Sequence, residues 1–313
     1  VPDNKPTVSV IIPARDAAGP LTLALAAISK QTYENIVDVV VAAADEPTAA
    51  VARDAGATVV DNPGGSTPAG LNRALQASSG DVVVRCDAHS IFPPRYIEDA
   101  VSALLAGNAV NVGGMQVPVC ETAWECAIAA AMSSRWGAGD ARYRVGGSPG
   151  PVETVYLGVF KREAINEVGG FDEEFERTQD YELNHRLIQA GGTVWFDPKL
   201  RVAYRPRGSL GELARQYFEY GRAKRQFDHK HPGNLKTRQL AAPALILILA
   251  LSLVLSLLWP LALFVPAVYL LGLTLVSLGR PASFWRIAAS LATMHISWGI
   301  GFLSGRRVNG RNP

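Results

Sequence analysis

Apolar and polar positions follow two regimes along this chain, and the change falls near residue 238. Upstream, short apolar runs at Val8 to Ile12, Val37 to Ala42, Thr58 to Val60 and Val82 to Cys86 alternate with helix-periodic stretches at Leu21 to Ser29, Thr48 to Ala55 and Ala69 to Ala77. A strand that is apolar on both faces is covered on both faces. Its regular alternation with helices therefore predicts a doubly covered α/β sheet with mostly parallel strands. Ligands of such sheets gather at the carboxyl ends of the strands. That rule singles out Pro13-Ala14-Arg15-Asp16, Ala44-Asp45-Glu46 and Asp87-Ala88-His89. Farther on, Tyr181 to Ala190 has helical periodicity, and Ser209 to Asp228 carries Leu210, Leu213, Tyr217, Tyr220 and Phe227 close to one face, with Arg215, Arg222 and Arg225 on others. The latter reads equally as an interfacial amphipathic helix or as a surface helix packed on the domain before it.

Downstream the periodicity disappears. Ala241 to Leu258 and Leu261 to Leu278 are uncharged apolar runs separated by Trp259-Pro260. At ~1.5 Å per residue each reaches ~27 Å, close to the hydrocarbon thickness of a bilayer. Two spans are expected at 241–258 and 261–278. A third apolar stretch, 284–304, carries Arg286 and His295 and is open to two readings, a span or a re-entrant segment. The resulting organisation is an α/β domain over 1–208, a basic amphipathic juxtamembrane segment over 209–238 and a membrane region over 239–305.

Charge sharpens this division. Residues 1 to 200 hold 15 basic and 25 acidic side chains; residues 201 to 238 hold 10 and 3; beyond 238 there are five Arg and no acid. An acidic body argues against non-specific nucleic-acid binding, whereas a basic collar before an apolar segment suits anionic headgroups of the cytoplasmic leaflet. Lys236 and Arg238, then Arg280 and Arg286, put both ends of the first span pair on the cytoplasmic side. Arg306, Arg307 and Arg311 conflict with that arrangement if 284–304 crosses. No secretory signal is visible at the N-terminus, so the expected location is a multi-pass protein of the inner (plasma) membrane with its α/β domain in the cytoplasm. Cys86, Cys120 and Cys126 lack a CxxC spacing and are expected to be reduced, structural thiols.

Neither GxGxxG after the first strand nor GxxxxGK[ST] occurs, so dinucleotide and P-loop readings lose their main support. Acids at strand ends remain. Asp87 and His89 lie two apart, on one side of an extended segment. One carboxylate and one imidazole suit Mn²⁺ or Mg²⁺ bridging a diphosphate, where the ion offsets charge on the leaving group. A turn with a capping Asp accounts for the same residues.

VSVIIPARD, Asp45 after a strand, TPAGLN at 67 to 72, SGDVVVRCDAHS at 79 to 90 and VGGFDEEFERTQDYELNHRLIQAGG at 168 to 192, taken in order, resemble a family 2 glycosyltransferase of the GT-A fold. The pattern is similar to the membrane-anchored bacterial subgroup of succinoglycan-type exopolysaccharide glycosyltransferases and covers about the first 230 residues. The resemblance implies that Pro13, Ala14, Arg15 and Asp45 line the nucleotide base and ribose pocket, with Asn72 close by. It implies that Asp87 and His89, at the D-x-D position, hold a divalent cation and the donor phosphates, and that Asp180 is the catalytic base. Leu157-Gly158 and Arg162 match a stretch near the acceptor. Arg215-Gln216 and Tyr220-Gly221 match a segment that closes over donor or acceptor.

The implied activity is inverting transfer of one sugar from a nucleotide-diphosphate donor, a UDP-sugar by family default, to a polyprenyl-linked or glycan acceptor at the membrane face. Three residues depart from the family pattern. His89 stands for the usual Asp, Gln179 for the usual Glu, and Leu71 for an Arg that many relatives carry. Asp180 is open to a second role as helix N-cap. Two other functions compete. A processive synthase would want a QxxRW motif, where this chain has Gln216-Tyr217-Phe218-Glu219-Tyr220. A non-catalytic membrane scaffold with a nucleotide-sugar fold would need neither acid. Oligomeric state is not encoded in any recognisable motif.

Overall fold

The computed structural model describes residues 5–305, so Arg306, Arg307 and Arg311 lie outside the described residues. The chain divides into two compact units. The first comprises the residues up to Val117 together with Ala141–Tyr204; the second comprises Pro118–Asp140 and everything from Arg205 onward. The stretch 118–140 thus groups with the C-terminal part rather than with the domain expected over 1–208.

The first unit is built on one eight-stranded sheet. Its strands are β1 (Val8–Ala14), β2 (Ile36–Ala43), β3 (Thr58–Asp61), β4 (Val82–Arg85), β5 (Ala109–Pro118), β6 (Gly150–Pro151), β7 (Tyr156–Lys161) and β8 (Thr193–Tyr204), in the order β3-β2-β1-β4-β7-β5-β8-β6. β1, β2, β3 and β4 pair in parallel, as the alternation with helices predicts, and β7 pairs antiparallel with both β4 and β5. Successive strand residues face opposite sides. Val8, Val10 and Ile12 accordingly pack with α1 (Ala18–Ile28), α2 (Glu46–Asp54) and α4 (Tyr96–Ala106) on one face. Ile11 packs with α3 (Thr67–Gln76), α8 (Arg162–Glu167) and α9 (Gln179–Gln189) on the other. Each fully buried Leu, Ile or Phe of these layers contributes roughly 1.5–3 kcal/mol by leaving water. A side chain at Gly114 would overlap the carbonyl of Leu200, so only glycine lets β5 and β8 approach as closely as they do.

In the second unit, α5 (Ala123–Met132) and the single turn α6 (Arg135–Ala138) precede the excursion back to the first unit, which opens with a short helix, α7 (Arg142–Val145). The unit resumes with α10 (Leu210–Lys230), α11 (Ala241–Leu255), α12 (Phe264–Ser277) and α13 (Phe284–Ser304). Three helical segments, Thr237–Leu255, Pro260–Ser277 and Phe284–Ser304, are long and apolar enough to cross a membrane. The third is one unbroken helix of 21 residues, about 31 Å long at the α-helical rise. It is also the packing centre of the unit, touching α5, α10, α11 and α12. Close approach is written in glycines. A Cβ on Gly221 of α10 would overlap the Trp298 carbonyl, and one on Gly301 of α13 would overlap the Phe218 carbonyl.

One cysteine expectation is corrected. Cys120 and Cys126 form a disulfide, with Cα atoms 5.1 Å apart, while Cys86 is free and buried. The pair escaped the sequence reading because its six-residue spacing matches no ligand motif; a tight turn into α5, closed by the Thr122–Glu125 capping box, brings the two together.

Candidate active site

At the carboxyl end of β1 the chain turns through Pro13, Ala14, Arg15 and Asp16. Ala14 is buried and Arg15 is exposed. Asp45, after β2, secures this turn: its Oδ2 accepts from the Asp16 N–H at 2.7 Å and its Oδ1 from the Thr48 N–H at 3.0 Å, which also caps α2. The Thr48 side chain, then these backbone donors, hold the Asp45 carboxyl below its ordinary range. Asp45 therefore joins the loops after β1 and β2. The Arg15 side chain lies over Gly65, where any Cβ would collide with it and where φ is +63°.

β4 ends at Arg85, Cys86 still donates to the Ile11 carbonyl of β1 at 3.0 Å, and the chain turns from Asp87 onward. The Ser90 N–H donates to the Asp87 carbonyl at 2.8 Å, closing a turn over Asp87-Ala88-His89-Ser90. The expected side-by-side placement in an extended segment is thereby replaced by neighbouring positions of one turn, in which Asp87 is half-buried and His89 exposed. Arg85, which sequence reasoning passed over, donates from Nε and Nη2 to the same Asp87 oxygen at 3.1 and 3.0 Å. Burial by itself pulls the Arg85 guanidinium down. The negative charges of Asp87 and Asp180 more than offset that, so its proton is held more firmly than usual. Tyr156 at the start of β7 is driven up by burial and then by Asp87, against hydrogen bonds with Ser90 and Gln116. Burial likewise raises the Cys86 thiol, which removes it from nucleophilic chemistry.

Asp180 sits in the first turn of α9, and its Oδ1 accepts from the Tyr181 N–H at 2.8 Å. It is not the N-cap. That position belongs to Thr178, which has no side-chain cap bond and adopts a left-handed φ of +63°. α9 is held from behind by a buried Glu182, whose carboxylate pairs with Arg186 at 2.7 Å; Arg186 also donates to the carbonyls of Val168 and Gly170. Asn184 on the same helix accepts from Asn111 of β5 at 2.6 Å and donates to Thr154 at 3.0 Å. None of these supports carries a recognisable motif, although a buried Glu and Arg at i, i+4 on a predicted helix is a readable signal.

Two expected site residues have structural work. Asn72 brackets Phe171, donating to its carbonyl and accepting from its N–H, both at 2.8 Å, and donates to Glu173 at 3.0 Å. It thereby pins the loop that leads to α9. Arg162 donates to the Gly80 and Leu75 carbonyls and to Ser78 and Ser9, tying α8 to the α3–β4 connection. The non-glycine residues with positive φ among those described are Asp16, Leu157 and Thr178. Each adjoins a segment singled out for chemistry: the turn after β1, the Leu157-Gly158 step in β7, and the entry to Asp180. Left-handed backbone at such residues costs roughly 1–3 kcal/mol and persists where the surroundings enforce it.

A mixed α/β sheet with acids at the end of β4 and the start of α9 is the arrangement of a GT-A glycosyltransferase, and the mannosyltransferase PcManGT from Pyrobaculum calidifontis, solved in complex with GDP-Man and Mn²⁺, has the same fold. It superposes with a TM-score of 0.66 over 94% of this chain and 87% of its own, at 19% identity. Residues 9–169 match the model of glycosyl transferase family 2. The succinoglycan biosynthesis protein ExoA of Rhizobium meliloti is 32% identical over 250 residues, 78% of this chain and 76% of that protein. The chain belongs to glycosyl transferase family 2 and is a glycosyltransferase. A shorter match links it to the pre-mycofactocin glycosyltransferase of Mycobacterium tuberculosis, 37% identical over 75 residues, 24% of this chain and 16% of that one.

Proposed function

We propose that this glycosyltransferase transfers a single sugar, with inversion, from a nucleotide-diphosphate donor to a lipid-linked or glycan acceptor, in exopolysaccharide or related envelope-glycan synthesis at the cytoplasmic face of the membrane. A UDP-sugar is the donor taken first; the GDP-Man complex of the Pyrobaculum enzyme makes GDP-sugars the next to try. The observation that carries the reading is the pair of acids on the sheet's ligand side: Asp87, in the turn after β4 and clamped by one oxygen to the buried Arg85, and Asp180, in the first turn of α9. The relation to ExoA supports the polysaccharide setting, and the three apolar helices support anchoring in the bilayer.

In this reading Asp180 accepts the proton of the acceptor hydroxyl as that oxygen bonds to the anomeric carbon. The bond from that carbon to the diphosphate oxygen breaks on the opposite face, and the nucleoside diphosphate leaves with the electron pair. Asp87 and His89 would hold a divalent cation, Mn²⁺ or Mg²⁺, which when bound offsets the charge of the leaving diphosphate. The residues fit such an ion. Asp87 keeps an oxygen outside the Arg85 bonds, and His89 is exposed. Among the described residues no group of three or more His, Cys, Asp or Glu forms a ready-made cage, as suits hard ions that keep waters and complete their shell with phosphate oxygens. Pro13, Ala14, Arg15 and Asp45 line the base and ribose side, with Asn72 supporting from behind.

The test is Asp180→Asn in the full chain. Turnover is expected to fall ~10²- to 10⁴-fold, the usual contribution of a general base, while UDP or GDP binding persists. Unchanged turnover would remove Asp180 from the mechanism. Mass-spectrometric analysis of product from membranes supplied with a panel of nucleotide-sugars and a polyprenyl-linked acceptor identifies donor and acceptor together.

A further inference from the structure

Arg85 stands where a sheet of this kind has no packing use for a cation. Its neighbours Val84 and Cys86 are fully buried and apolar, and its own side chain is 8% exposed. A buried charge is costly unless it is paired and hydrogen-bonded. The Arg85 bonds are unusual in form. A guanidinium commonly forks across both oxygens of a carboxylate, whereas Nε and Nη2 of Arg85 converge on Oδ1 of Asp87. Oδ2 is left outside that clamp.

We propose that Arg85 is a positioning residue of the transfer site: it fixes Asp87 by one oxygen so that the other is presented to the cation and donor diphosphate. The proposal rests on the donor-site reading of Asp87 given above. It also gives a physical meaning to His89 in place of an acid. With a cation resident beside Asp87, the turn carries little net negative charge, and the geometry of the one remaining carboxylate oxygen matters more than it would in an acid-rich motif.

A double-mutant cycle separates orientation from general damage. Wild type, Arg85→Met, Asp87→Asn and the double variant, as full chains in detergent, are titrated calorimetrically with UDP or GDP, whichever binds wild type more tightly, in Mn²⁺ and in EDTA. Arg85→Met is expected to weaken nucleotide binding at least about ten-fold in Mn²⁺ and little in EDTA, with Arg85→Lys recovering part of the loss. In the Asp87→Asn background it is expected to add almost nothing. Wild-type affinity of Arg85→Met in Mn²⁺, equal losses with and without the ion, or additive losses in the double variant would each overturn the role. If Asp87→Asn itself leaves Mn²⁺-dependent binding intact, the donor-site reading fails and the proposal fails with it. Should Arg85→Met not fold, Arg85→Lys runs through the same cycle, and full wild-type behaviour in EDTA with a loss in Mn²⁺ remains the required result.

Discussion

Thr178 holds the backbone of the Asp180 approach in a conformation that side chains with a Cβ resist, at a cost of roughly 1–2 kcal/mol. Glycine would remove that cost while adding conformational freedom to the unfolded chain, worth about 0.4–1 kcal/mol in the opposite direction. Thr178→Gly is therefore expected to keep or slightly raise the thermal midpoint, whereas Thr178→Val, a β-branched residue in the same backbone, lowers it. A fall with glycine comparable to that with valine, measured by thermal unfolding in detergent, would show that the left-handed turn is not the strained element. Legibility at this scale was uneven. Asp45, Asp87 and Asp180 stand at strand ends or a helix start and could be read from pattern and family resemblance. Glu182 was legible only as the i, i+4 partner of Arg186, whereas Arg85 and Asn111 could not be read, because the burial of Arg85 is set by sheet packing and Asn111 acts through Asn184, far along the chain.

At the scale of elements, α5 offers a pH-dependent test. Glu125 receives the N–H groups of Glu121 and Thr122 and then the Arg205 side chain, which together lower its carboxyl from the ordinary 4.5 to about 2. A carboxyl with a depressed folded-state value contributes stability that is present above its unfolded value and is lost as pH falls through the folded one. The start of α5 should thus weaken between about pH 4.5 and pH 2. Glu125→Gln is expected to flatten the dependence of the thermal midpoint in that window and to be less stable than wild type at neutral pH. A slope unchanged by the substitution would assign the acid sensitivity to other groups. The expected strands matched the observed ones to within two residues at either end, since buried runs bounded by Pro, Gly and acids have sharp edges. The region from 118 to 204 was harder. Its strands pair antiparallel or run to the far edge of the sheet, and its helices include single turns, so periodicity has little length in which to show itself.

For the whole molecule, the proposed cytoplasmic placement of the catalytic unit, which rests on the basic stretch over residues 201–238 and the apolar helices beyond it, stands against a lasting disulfide, which belongs to an oxidising compartment. The two expectations meet at Cys120 and Cys126. If the proposed placement holds, the bridge seen in the structure is expected to be open in the cell, both thiols reacting with a membrane-permeant maleimide before extraction and pairing after exposure to oxidant. A pair fully resistant to labelling in intact cells, yet labelled after reduction, would place this part of the chain on the opposite side.

What the sequence determined by itself was whatever depends on neighbours in the chain: the alternation of buried strands and helices, the acids at their ends, the apolar length of the last three helices and the ordered motifs of the family. Those features are local in period or in composition, and burial alone is enough to require them. The tertiary structure decided which of these residues act together. It turned Asp87-Ala88-His89 into a turn rather than an extended pair, gave Asn72 and Arg162 to the scaffold, made α13 the packing centre of the second unit, and buried the Arg85 guanidinium against Asp87. Apart from the local turn at Asp87, each outcome depends on segments dozens of residues apart, brought together by how sheet and helices pack and not by any pattern along the chain.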